Sequence, residues 1–179
     1  MASDRTPEEI EETSFDGGCA CGHVRYRMTS RPLIVHACHC YECQRLTGAA
    51  FAINAMIEAT RVVVLGGDPV EVMVPSASGK GQKIYRCPKC QVAVWSHYAL
   101  EGGIGDMVNF IRVGTLDDPD MLPPDIHIFT ESKQKWLDLP EGIVAVDIYY
   151  DRKDVWPEES NARRAALDTL VEGKPTTTT

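Results

Sequence analysis

Short β-type runs separated by turn signals dominate the pattern of apolar and polar positions along the chain. Extended segments are expected at about residues 23–28, 33–37, 51–56, 61–65 and 70–74, and again at about 82–86, 92–95, 107–113, 126–130 and 143–148. The first alternates strictly, so Val24, Tyr26 and Met28 share one face of a period-two strand, and that face is expected to be buried. Gly66-Gly67-Asp68-Pro69 and residues 76–81 read as turns, because glycine reaches positive φ and proline fixes φ while removing a ladder donor. Antiparallel pairing is the simplest arrangement for strands joined this closely.

A single helix is predicted, and it lies at the C-terminal end. Pro157 opens it, Glu158 and Glu159 suit its electropositive first turn, and Gly173 followed by Pro175 ends it. Ala162, Ala165, Ala166, Leu170 and Val171 recur at helical spacing and mark the expected packing face. The fold class is therefore mainly β, with short antiparallel strands and a C-terminal α-helix. Trp95, Trp136 and Trp156 are assigned to the core. At 179 residues the chain fits one domain. We divide it into an acidic N-terminal segment, 1–14, a β domain, 15–150, a helix packing on that domain, 151–173, and a tail, 174–179. The two ends carry too little apolar surface to offset their ordering entropy.

Composition narrows the partners. Apolar residues make up 44% and charged residues 25%, ordinary values for a globular protein. A net charge of −8 argues against a field that attracts nucleic acid or anionic membrane. No run approaches the roughly 18 apolar residues of a membrane span. The first fourteen residues carry five acidic groups and lack the basic and apolar regions of a secretory signal. A cytoplasmic protein is the expectation, and in that reducing compartment clustered cysteines point to metal or thiol chemistry rather than disulfides.

The seven cysteines fall into three groups: Cys19 and Cys21, then Cys38, Cys40 and Cys43, then Cys87 and Cys90. In Cys87-Pro88-Lys89-Cys90 the two-residue gap lets both sulfurs converge on one ion while backbone N–H groups donate to them. Zinc takes four such ligands in a tetrahedron, and either remaining group can supply the missing pair; spacing alone does not choose. The cheapest partition is four plus three. Cys19, Cys21, Cys87 and Cys90 then close a structural zinc site, and Cys38, Cys40 and Cys43 hold a second ion with its fourth position open. The competing reading completes the triplet with His39, His36 or water as another structural site. Alternation points His39 away from the ion, toward a supporting or surface role.

The run Gly17-Gly18-Cys19-Ala20-Cys21-Gly22-His23-Val24-Arg25-Tyr26, followed by Cys38-His39-Cys40-Tyr41-Glu42-Cys43-Gln44-Arg45-Leu46-Thr47-Gly48, resembles the glutathione-dependent formaldehyde-activating enzyme family, which also contains centromere protein V. Cys87-Pro88-Lys89-Cys90, residues 114–119 and residues 127–136 resemble its remaining blocks in order, and the likeness spans about 15–140. The resemblance implies a tent-like β fold, the four-plus-three zinc partition and an activity joining glutathione to formaldehyde as S-hydroxymethylglutathione, formally a carbon–sulfur lyase run in reverse. It makes Cys38, Cys40 and Cys43 the catalytic site and a small-molecule thiol and an aldehyde the partners; a homo-oligomer is left open. Gln91 departs from the family, which often has glycine there.

Three further residues are candidate contacts for the glutathione co-substrate. Arg45 can pair with a carboxylate, although such an arginine is as often an ordinary surface residue. His127 and Lys133 lie in a block with Glu131, Lys135 and Trp136 that can move protons or bind an anion. Against this stands a satisfied strand histidine beside a solvated charge cluster. Asp117 and Asp118, before Pro119, read as turn formers. The alternative function is a non-catalytic zinc- or glutathione-binding module, or a protein-interaction module like centromere protein V. The latter works through a basic N-terminal region where this chain is acidic.

Overall fold

The computed structural model describes residues 14–76, 79–98 and 105–172. In chain order its elements are β1 (Phe15–Gly18), β2 (Arg25–Met28), β3 (Ile34–Cys38), α1 (Tyr41–Thr47), β4 (Ala52–Glu58), β5 (Val62–Gly66) and β6 (Val70–Val74). They continue with β7 (Gln82–Arg86), β8 (Ala93–Tyr98), β9 (Val108–Arg112), β10 (Ile126–Ile128), β11 (Val144–Ala145), α2 (Arg152–Val155) and α3 (Glu158–Glu172). Each extended segment expected from the pattern reappears among β2 to β11, with ends that coincide or shift by one to three residues. The chain is mainly β with a C-terminal helix. No helix among the described residues is long and apolar enough to cross a membrane.

The strands form a three-stranded sheet, in the order β1–β2–β5, and an eight-stranded sheet, β11–β10–β3–β4–β9–β8–β7–β6. Most ladders are antiparallel, but β10 pairs parallel with both β3 and β11. Parallel neighbours need a long crossover, and the segment between β3 and β10 provides one. β1 is a strand that alternation does not announce, since it ends on two glycines. Phe15 is 3% exposed, and Gly17 runs so close to Thr115 that a Cβ there would lie 2.6 Å from its carbonyl oxygen. Only glycine allows that approach.

Alternation in the central strands divides the interior into two cores. Val35, Ala55, Ile111 and Trp95 pack with Val24, Tyr26 and Met28 of β2, and this core also holds Cys19 and Cys87. Tyr26 meets Trp95 edge-to-face at 5.7 Å. The second core contains Ile34, Met56, Val108, Ile126 and Ile128 with Trp156 and Leu167, and it holds Cys38.

Two packing expectations are corrected. Ala162, Ala165, Ala166 and Leu170 of α3 face solvent, and the helix docks through Ser160, Arg163 and Leu167 instead. The Arg163 guanidinium decides the face: it donates to both carboxylate oxygens of Glu58, at 2.8 and 2.5 Å, and to the Arg31 carbonyl at 3.0 Å. Trp95 and Trp156 are buried, but Trp136 is 70% exposed, its indole N–H donating to Gln134 Oε1 at 2.6 Å.

Candidate functional site

Two hairpin tips meet at the first cysteine group. The tip between β1 and β2 carries Cys19 and Cys21, and the tip between β7 and β8 carries Cys87 and Cys90. Each is pinched by the same kind of bond, Cys19 N–H to Val24 O and Cys87 N–H to Val92 O, both at 3.0 Å. Gly22 closes the first turn at φ +74°, and Gln91 closes the second at φ +63°. The four sulfurs lie within 4.8 Å of one another, with Cys21 Sγ 3.5 Å from Cys19 Sγ and 3.7 Å from Cys87 Sγ. Backbone N–H groups already face them: Val24 donates to Cys19 Sγ at 3.2 Å and Lys89 to Cys87 Sγ at 3.4 Å. Burial works against ionising Cys19, but the Val24 N–H and the neighbouring sulfurs outweigh it and bring the thiol down to about 6. Cys21 accepts from the His23 N–H, yet the Cys19 sulfur beside it pushes it up to about 11. Thiols crowded in this way ionise together only around a cation.

The second group forms where β3 gives way to α1. Cys38 is the last residue of β3, Cys40 caps α1 by accepting from the Cys43 N–H at 3.3 Å, and Cys43 lies in the first turn. Their three sulfurs also fall within 4.8 Å. The Cys38 and Cys43 sulfurs hold Cys40 down at about 2, while Cys40 and Cys43 drive Cys38 far above the usual thiol range. α1 itself was not anticipated. It spans seven residues, its cap is a thiol, and Gly48 ends it in the left-handed region with its N–H on Gln44 O at 2.8 Å.

His39, between two of these cysteines, turns away from them as alternation indicates, but into the interior rather than to the surface. It is fully buried and shares a 2.8 Å hydrogen bond, through Nε2, with Nδ1 of His127. Its own Nδ1 has no hydrogen-bond partner among the described residues. Gln44 ties α1 to the loop after β10, donating to His39 O at 2.8 Å and to Ser132 O at 2.9 Å. That loop opens on Phe129, an aromatic residue in the left-handed region at φ +57°. Such backbone strain costs on the order of 1 kcal/mol and clusters at functional sites; Phe129 packs on the same core as Cys38.

The three expected glutathione contacts stand in different surroundings, with His127 and Lys133 both close enough to His39 to disfavour its protonation beyond what burial does. Arg45 is exposed on α1. His127 is 5% exposed and engaged with His39. Lys133 turns its ammonium to the carbonyls of Gln134 and Leu137. One residue near the triplet escaped the sequence reading: Arg112, 8% exposed, donates to Asn54 Oδ1. Burial lowers its pKa, and the charges of Cys43, Cys38 and Cys40 oppose that shift. The available signal was a charge on the buried face of β9, in alternation with Val108 and Phe110. Tyr98 completes this side, its hydroxyl donating to Glu42 at 3.3 Å; burial, then Glu42 and the thiolates, raises its pKa.

Fold and site together define a mainly β protein with two separate sulfur clusters, one of four thiols and one of three, each able to hold a metal ion. More particularly, the chain belongs to the family described as glutathione-dependent formaldehyde-activating enzyme, whose model matches residues 14–132. A Halomonas elongata protein, provisionally named a glutathione-dependent formaldehyde-activating enzyme, is 26% identical over 130 residues, covering 70% of this chain and 80% of that relative. A crystal structure of a Rhodobacter sphaeroides protein is 18% identical, with a TM-score of 0.43, and covers 61% of this chain and 96% of that one.

Proposed function

We propose that the chain is a zinc-dependent enzyme of thiol–aldehyde chemistry, joining a thiol such as glutathione to formaldehyde or a related small aldehyde, formally a carbon–sulfur lyase run in reverse. The observation that carries the reading is the incompleteness of the triplet. Three sulfurs converge, and among the described residues no fourth Cys, His or carboxylate ligand joins them. Structural zinc sites are closed by four protein ligands, whereas catalytic sites keep a position open. In this reading Cys19, Cys21, Cys87 and Cys90 hold a structural zinc, and Cys38, Cys40 and Cys43 hold a catalytic one. The β domain of 15–150 carries both, and the reducing cytoplasm keeps the thiols available. The family's name and that of the Halomonas relative support the choice of glutathione and formaldehyde.

Zinc bound by the triplet would supply the positive charge that keeps an incoming thiol ionised near neutral pH. The chain's residues prepare the place. Backbone N–H groups at the start of α1 fix Cys40, and Phe110, Phe129 and Trp156 belong to the apolar core beside the triplet, which limits water there. Three thiolates around a dication leave one net negative charge, and the buried Arg112 guanidinium offsets it. Arg45, exposed on α1, can reach a carboxylate from solvent, while His127 acts on the site only through His39, and Lys133 through the loop it braces. The test is formaldehyde turnover with and without glutathione, followed against the uncatalysed addition. A zinc- and glutathione-dependent rate above background, lost in Cys38→Ser, is expected. A rate equal to background removes this activity.

A further inference from the structure

The sheet face that carries the triplet also carries a cleft. In the ladder Cys38 stands opposite Ala52, and Arg112 stands opposite Asn54 two residues along β4. Cys38 and Arg112 therefore share one face of the sheet. Beside the C-terminal end of α1 a cleft of about 520 Å³ opens, lined by Leu46, Thr47, Phe51 and Ala52 and by two arginines, Arg86 and Arg112.

The arginines are unmatched. Arg112 uses one terminal nitrogen on Asn54, and among the described residues its Nε has no partner, although the residue is 8% exposed. Arg86 donates to the Gln91 carbonyl at 3.0 Å. Among the described residues neither forms an ion pair, while Arg25, Arg27, Arg163 and Arg164 all do. The chain has acid to spare, with 26 acidic residues. The thiolates lend Arg112 a favourable field without touching it, and the charge of Arg86 works against it. A largely buried cation that lines a cleft beside a second cation, with one donor unused, has no anion in contact with it among the described residues.

We infer that this cleft is a carboxylate subsite in which Arg112 and Arg86 receive a carboxylate of the molecule that reacts at the triplet. Guanidinium groups match carboxylates with two parallel hydrogen bonds, which fixes orientation as well as charge. The identity of the reacting molecule rests on the thiol–aldehyde reading; the need for an anion does not. The carboxylate can belong to the thiol, as in glutathione, or to the aldehyde, as in an oxo acid.

Calorimetric titration of the zinc-loaded protein with glutathione and with glyoxylate, each against its methyl ester, separates these sources. At least one acid should bind roughly tenfold tighter than its ester, a difference of about 1.4 kcal/mol. Discrimination on glutathione names the thiol as the source, and discrimination on glyoxylate names the aldehyde. Arg86→Gln should erase the difference while zinc content and circular dichroism stay at wild-type values, and Arg112→Gln should erase it as well. Should Arg112→Gln fail to fold, Arg86→Gln decides alone. Equal affinity for acid and ester, absence of binding by either, or discrimination that survives Arg86→Gln overturns the subsite. Discrimination that persists in a protein with no formaldehyde turnover removes the proposed activity and leaves the subsite standing.

Discussion

Gln91 shows how a single backbone angle constrains a ligand turn. It closes the Cys87–Cys90 knuckle at φ +63°, where a side chain costs about 1 kcal/mol and glycine costs nothing comparable. Its amide recovers part of this by donating to Pro88 O at 3.1 Å, at the exposed surface. Gln91→Gly should therefore stabilise the metal-loaded protein by roughly 0.5–1 kcal/mol in urea unfolding; a loss of stability would show that the amide contact outweighs the strain. At this scale the sequence is most legible where chemistry is local. Seven thiols in pairs and a triplet announce themselves, and the structure gathers them as counted. Arg112 does not, because its meaning depends on the strand face it occupies and on neighbours from β4 and β7. Trp136 misleads for the converse reason: its type suggests burial, and its loop leaves it in solvent.

Among the elements, α3 is held by an ion pair that its apolar pattern conceals. Arg163 and Glu58 are both largely buried, with side chains 13% and 7% exposed. Burial works against ionising Glu58, but the Arg163 guanidinium outweighs it and holds the carboxyl below its usual range. The depressed folded pKa means that the pair's stabilisation is present above the ordinary glutamate range and is lost as pH falls through the folded value. Arg163→Met should cost about 3 kcal/mol near neutral pH by leaving a buried charge alone. The gap from wild type should shrink on acidification, as urea unfolding at several pH values can show; a gap independent of pH would mean that the arginine acts by packing only. The strands were legible because short apolar, β-branched runs bounded by turn residues mark them, with strict alternation in β2. α1 was not, since seven residues capped by a ligand cysteine offer almost no periodicity. Its one readable sign was Gly48 at the C-cap.

Across the whole molecule, the four-cysteine cluster fastens the β1–β2 hairpin of the small sheet to the β7–β8 hairpin of the large one. A metal ion held there would link segments more than sixty residues apart in sequence. Binding of this kind is folding free energy, on the order of 10 kcal/mol in isolated zinc peptides. Cys87→Ser should thus lose cooperative thermal unfolding altogether; retention of a sharp transition would show that the two sheets hold together without the ion. Strand order is the part of the fold that sequence conveyed least. Nothing local to Ile126–Ile128 says that it runs parallel to β3, yet that pairing places Ile128 opposite Cys38 and helps build the wall of the triplet. In the proposed function the two clusters differ in kind, one a clamp and one an open site. Zinc content of the wild type and of Cys38→Ser, measured under reducing conditions alongside thermal unfolding, tests it most directly. About two ions per wild-type chain and about one in the variant are expected, with the unfolding transition kept. One ion in the wild type, or collapse of Cys38→Ser to the same extent as Cys87→Ser, would contradict it.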